Sequence, residues 1–514
     1  MNNLAKSAIG LMLATLIGKI LGFVREMVLM YSYGTSSYSD VYITAMNIPI
    51  VVFAVIGSAL ATTFIPLYHE SLEKRGEEGA LKFTNNIIVI VTLITFILSV
   101  IGYVFTQPLV KLFAMNFTGE KLILTVEFVR VMIIGLVFIG ISNILTSYLQ
   151  IKGNFIVPGM VAVPNNVVLI VSIILSYTLG NIYILPVGAL MGMISQLIFQ
   201  FPFAIKHGLK FNPCLNFKDE YFKKMVILVC PVLIGVAINQ VNTMVDRSLA
   251  SGLGDGIIAA LNSANRLNWF VMGLFIVTLS SIIYPTLSKF SSENEFEKFK
   301  ESVKVSINIV ILIIVPVTVG SIIFATPIVQ ILFERGAFNE NSTEITSAAL
   351  VYYSIGMIGL GLRNVLDRIF YSLKDTKTPM INGVISMILN IILNVILVKF
   401  MGYKGLALAT SLSFLICTFL LMINLGKKIG YYEQDKIALL FIKSLTASIL
   451  MGITVKLIYS VLIGIVDIGI LVQIISLSSL VLIGVLIYST IIYILKVKEV
   501  NIITNIIKSK IKRR

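Results

Sequence analysis

Charge is scarce in this sequence. Only 13% of its 514 residues are Asp, Glu, Lys or Arg, about half the share of a typical globular chain. With 57% apolar residues and a mean hydropathy of +0.96, a soluble fold has too little interior to hide this surface. A secreted enzyme, a nucleic-acid binder and a disordered scaffold are excluded on that ground. Cysteine is equally sparse. Cys214, Cys230 and Cys417 are too scattered for a disulfide framework, and none has metal-ligand spacing. The two histidines, His69 and His207, fall in predicted connections and read as solvated loop residues. The sequence also lacks a Walker-type glycine-rich loop, an HExxH pair, a Ser/His/Asp or Cys/His set and a dense carboxylate cluster, so neither ATP hydrolysis nor another catalysed reaction has its residues here. No cofactor or metal is expected. The chain reads as one that moves something without changing it.

What it has instead is long apolar runs, such as Val305 to Phe324, each sufficient to cross a bilayer as a helix. Grouping them between charged or Gly/Pro-rich breaks predicts an all-α polytopic membrane protein of about fourteen spans. These run near 5–32, 38–67, 84–110, 122–150, 157–179, 182–206, 223–250, 256–288, 305–333, 343–372, 379–400, 404–426, 436–463 and 467–495. The apolar start, Ala8 to Ile17, resembles a signal peptide. Lys19, Arg25 and Glu26 follow in the same run without a cleavage motif, so it reads as a retained first span. Alternate connections, counted with the termini, carry about 27 Lys and Arg against about six in the opposite set, which predicts both termini in the cytoplasm. That placement also accounts for the net charge of +15 without nucleic acid, and 496–514 reads as a basic cytoplasmic tail, a topology anchor ahead of a contact with anionic membrane lipid.

An internal repeat is visible. Ala45-Met46-Asn47-Ile48 and Phe64-Ile65-Pro66-Leu67 line up with Ala264-Asn265-Arg266-Leu267 and Ile283-Tyr284-Pro285-Thr286, and Pro158 with Pro379. The offset is roughly 220 residues, or six spans, so the two copies have the same orientation. This predicts two parallel six-helix lobes, 1–210 and 220–427, and leaves two extra helices over 436–495. Two-lobed repeats are a transporter architecture with alternating access.

Ionisable groups at membrane depth are candidates for function because they are costly there. Lys19, Arg25 and Glu26 lie in the first span, with Lys19 and Glu26 on one helix face. Asp40 opens the second span, two turns before Asn47 and Pro49, and reads equally as a substrate contact or as a capping carboxylate. Arg266, ten residues into its span and flanked by Asn262, Asn265 and Asn268, is far from a helix end and is expected to face a cavity. Asp246 and Arg247 pair with each other or with Arg266, and Asp367 and Arg368 read as structural. Cations outnumbering acids at depth suit an anionic substrate, since arginine grips phosphate oxygens bidentately.

The stretch Gly18-Lys19-Ile20-Leu21-Gly22-Phe23-Val24-Arg25-Glu26, then Gly34, Ser39-Asp40, Asn47-Ile48-Pro49 and Thr63-Phe64-Ile65-Pro66, resembles the N-terminal signature of the MurJ (MviN) lipid II flippases. These belong to the multidrug/oligosaccharidyl-lipid/polysaccharide exporter superfamily. The resemblance continues through Ala264-Asn265-Arg266-Leu267, Phe333 to Phe338 and Phe370 to Pro379. It implies fourteen helices, two lobes in a V around a cationic cavity, and a final helix pair that forms a groove for a polyprenyl tail. The implied cargo is undecaprenyl-diphosphate-linked disaccharide-pentapeptide, moved across the bacterial cytoplasmic membrane by membrane potential or a cation gradient, sodium or proton. Carried over by position, the implied substrate-binding residues are Lys19, Arg25, Glu26, Asp40, Asn47 and Arg266, with Asp246 similar to a cation-coupling carboxylate. Cell-wall synthesis proteins are candidate partners. The family often has arginine shortly after the proline of the second span, where this sequence reads Ile50-Val51-Val52-Phe53. A flippase for another polyprenyl-diphosphate oligosaccharide and a cation-coupled multidrug exporter are the alternatives. The exporter fits less well, since it needs about twelve spans and an acidic cavity.

Overall fold

The computed structural model describes residues 3–293, 295–463 and 470–497. Regular structure among them is entirely helical, as the bilayer demands, because a helix satisfies its backbone N–H and C=O groups within one segment. Ten helices of the described residues are long and apolar enough to cross a membrane, among them Ile184–Lys206, Phe296–Ile323 and Tyr403–Ile429. The sequence spans 5–32, 38–67, 223–250 and 256–288 lie in further long helices, Asn3–Tyr33, Ser37–Val104, Glu220–Ala250 and Ile257–Ser292. Asp467 and the basic tail beyond Val497 lie outside the described residues.

One expected connection is not a loop. Helix runs from Ser37 to Val104, through the predicted break at 68–83, interrupted only at Gly76 (φ 70°, ψ −173°). His69 therefore sits on a helix. Leu72, Glu73 and Lys74 are good helix formers, and the turn is held both by a pair within the segment and by residues outside it. Lys74 and Lys224 both reach Glu70 Oε1 at 2.8 Å. Arg75 bonds Asp219 at 2.8 Å and lies 4.5 Å from the centre of the Tyr221 ring.

The chain forms two compact units, residues 1–259 with 335–339, and residues 260–334 with 340–514. The first has an aromatic core. Phe64 stacks on Phe83 at 5.6 Å, and Tyr68 meets Tyr148 edge-on at 6.0 Å. Helix Glu220–Ala250 packs in this unit, against Ser37–Val104.

In the second unit, Val310, Ile314, Leu366, Phe370 and Leu421 form the centre of the core. Helices Glu340–Ser372 and Tyr403–Ile429 approach closely where small residues meet, since a Cβ on Gly359 would fall 2.7 Å from Leu415 N. Hydroxyls fasten this seam, Ser411 Oγ donating to Tyr352 O (2.6 Å) and Thr418 Oγ1 to Gly359 O (2.7 Å). Without a hydrophobic force between helices in lipid, such close packing and interhelical hydrogen bonds hold a bundle together. Helix Gln434–Ile463 packs on Phe296–Ile323 and on Ile470–Ile494 through Leu312, Ala447, Met451 and Leu480, with Ser444 hydrogen-bonded to Tyr488 at 2.7 Å.

Candidate functional site

The buried charges of the first unit fall into two clusters. The first lies where helix Asn3–Tyr33 crosses Ala162–Leu179. Gly18 and Gly22 face Ala162 and Asn166, close enough that a Cβ on Gly18 would come within 3.0 Å of Ala162 Cβ. In this seam Asn166, 5% exposed, donates to Ala162 O (2.8 Å) and Gly18 O (3.3 Å). Its Oδ1 accepts from Arg25 Nη1 at 3.2 Å. Arg25 is 7% exposed and Glu26 beside it 1%. Burying a guanidinium and a carboxylate costs several kcal/mol per ion unless polar partners replace water. The seam therefore commits one nitrogen of Arg25's fork to a fixed amide. Lys19, on the same helix, is exposed.

The second cluster surrounds Asp40. Ser36 Oγ caps helix Ser37–Val104 by accepting from Ser39 N, and Ser39 Oγ donates to Gly34 O at 2.6 Å. This rigid turn aims Asp40, 0% exposed, away from its own helix start. Its Oδ2 accepts from Gly256 N (2.8 Å) and Lys121 Nζ (2.8 Å), and its Oδ1 accepts from Ala259 N (2.9 Å). Asp40 thus caps the N-terminus of helix Ile257–Ser292, the helix that carries Arg266, where both orphan N–H groups and the helix dipole favour an anion. Lys121 links the cluster to Asp255 at 2.7 Å. Gly256 has a positive φ of 79°, and a Cβ there would meet Thr35 O at 2.2 Å, so only glycine lets this backbone pass.

The remaining candidates stand apart from these clusters. Asn47 is half-buried and donates to Ile43 O of its own helix at 2.6 Å. Asp246 and Arg247 are half-buried on helix Glu220–Ala250. Arg266, in the second unit, is half-buried between the buried Ser263, Leu267 and Asn268, and Asn268 Nδ2 donates to Tyr353 O at 3.0 Å. Asp367 pairs with Arg363 at 3.7 Å along one helix. Sequence reading missed Asn166 and Lys121. The Asn165-Asn166 doublet inside an apolar span was the available signal for the first. Lys121, in a connection, had none.

The comparisons agree with this architecture. The lipid II flippase MurJ family matches residues 6–497. A probable lipid II flippase MurJ of Vibrio cholerae serotype O1 is 31% identical over 431 residues, covering 80% of each chain. Its counterpart from Rickettsia prowazekii is 28% identical over 499 residues, covering 96% of this chain and 98% of the relative. A solved lipid II flippase MurJ in an inward closed conformation superposes with a TM-score of 0.80 at 28% identity, covering 95% of this chain and 98% of that one. An inward-facing multidrug resistance MATE transporter reaches a TM-score of 0.69 at 16% identity, a likeness of fold. With the family signature matched from the first span to the last, the chain belongs to the lipid II flippase MurJ family.

Proposed function

We propose that this chain translocates lipid II, the undecaprenyl-diphosphate-linked disaccharide-pentapeptide, across the bacterial cytoplasmic membrane by alternating access. It is a transporter and not an enzyme, as its family is. The observation that carries the chemistry is Arg25, buried in an apolar helix and oriented by Asn166. An ionisable residue at membrane depth is costly there and marks a functional site by default. Lys19, Arg25 and Arg266 are the cations for the diphosphate, Glu26 offsets their charge, and Asn47 offers a further polar contact. Asp40 acts at one remove, by capping the first turn of helix Ile257–Ser292.

Asp246 is the candidate for a coupling cation, sodium or proton, with the membrane potential as the other drive. The helices over 436–495 supply apolar surface to the polyprenyl tail, in keeping with the exposed Leu457, Val461, Val481, Leu482 and Leu486. The termini lie in the cytoplasm by the distribution of basic residues. A reporter fused after Arg514 reads that orientation. The function itself is tested by replacing the resident flippase of a bacterial depletion strain with this chain. Restored growth, with lipid II reaching the outer leaflet, is expected; a well-expressed chain that leaves lipid II on the inner leaflet refutes the proposal.

A further inference from the structure

The second unit holds a polar cavity that the transport reading does not use. It has a volume of about 480 Å³ and lies where helix Lys377–Met401 begins and helix Tyr403–Ile429 ends. Asp375, Thr378, Asn382, Asn424, Lys427 and Lys428 line it. Because both helices are membrane-crossing candidates, their ends lie near the level of lipid headgroups.

Three features give this cavity the chemistry of an anion site. Its one acid is already engaged. Asp375 accepts from Lys428 Nζ (2.6 Å), Thr378 N (3.0 Å) and Thr378 Oγ1 (2.8 Å), which holds its carboxyl down at about 2. Lys427, on the next residue, is exposed and forms no ion pair among the described residues, so its charge is available. Asn382, finally, is 2% exposed, and its Nδ2 has no hydrogen-bond partner. Its Oδ1 does have one, accepting from Asn424 Nδ2 at 3.3 Å. A buried polar atom without a partner is costly, and its residue lines the cavity together with Lys427.

We infer that this cavity binds a phosphate-type oxyanion, which accepts from Asn382 Nδ2 and pairs with Lys427. Its source is either the headgroup of an anionic phospholipid or free phosphate. The inference rests on neither Arg25 nor Arg266, so it stands apart from the transported cargo.

The test uses the full-length chain in detergent, with phosphatidylglycerol against phosphatidylcholine as one arm and inorganic phosphate as the other. Bound lipid is counted by native mass spectrometry and bound phosphate by phosphorus NMR. Lys427→Glu reverses an exposed charge, whereas Asn382→Asp keeps the shape and the acceptor for Asn424 but replaces the free donor with an anionic oxygen. Lys289→Glu, a reversal at another exposed lysine, controls for net charge, and elution profile and melting temperature confirm folding. Binding in either arm that falls about tenfold in both site variants, and not in the control, supports the site; the arm that responds identifies the source. Equal binding by parent and either site variant in both arms, or an equal loss in Lys289→Glu, overturns it.

Discussion

Replacing Asp40 tests whether a buried carboxylate that reads as a substrate contact in the sequence is instead an anchor. Its two oxygens receive Gly256 N, Ala259 N and Lys121 Nζ, all at 2.8–2.9 Å, with the side chain 0% exposed. Removing one member of a buried charged set costs about 3–5 kcal/mol, so Asp40→Ala is expected to lose stability on that scale. Asp40→Asn retains one acceptor oxygen and loses the charge; with charge-assisted bonds at about 1.5–3 kcal/mol each, it should lose roughly half as much. Lys121 is partly relieved by its second partner, the exposed Asp255. Lys121→Met should therefore cost less than Asp40→Ala, and the pair Asp40→Asn with Lys121→Met less than the sum of its parts. Urea unfolding of the purified chain in detergent, followed by circular dichroism, gives the four values. An Asp40→Ala protein as stable as the parent, or strict additivity of the double variant, refutes the anchoring role.

Arg25→Ala should weaken lipid II binding at least tenfold, since each 1.4 kcal/mol is about one decade; Arg266→Lys should keep partial complementation and Arg266→Ala little, because lysine keeps the charge and loses the planar fork. Normal growth of the Arg25→Ala, Arg266→Ala double variant at normal membrane levels would reject an anionic cargo. Gly359→Ala places a methyl 2.7 Å from Leu415 N and 2.9 Å from Phe414 O, backbone atoms that cannot step aside, so about 1–3 kcal/mol or more is lost and a lower melting temperature is expected. The Asp375 carboxyl, held at about 2 by Lys428 first and Thr378 next, lies below its unfolded value of about 3.9. Its contribution is therefore present above about pH 4 and lost as pH falls through about 2. Melting curves of parent and Asp375→Asn should converge across that window, and more shallowly at high salt.

Much of the fold was legible because a bilayer imposes a one-dimensional rule. About twenty apolar residues make a span, so the run lengths of this sequence determined an all-helical membrane protein, and the residues from Gly18 to Glu26 and from Ala264 to Leu267 determined its family. Sequence also located the costly charges, Arg25, Glu26, Asp40 and Arg266, since an ionisable residue within an apolar run is visible without any structure. It did not determine what those charges touch. Arg25 meets Asn166, 141 residues away, and Asp40 meets Lys121, Gly256 and Ala259 at separations of 81, 216 and 219. The helix through 68–83 depends in the same way on Asp219 and Lys224, and the unmatched donor of Asn382 is defined only by what surrounds it. Periodicity fixes which face a residue occupies on its own helix. A partner is a distance between two helices, and that distance exists only once the small residues of each seam have set how closely the helices pack.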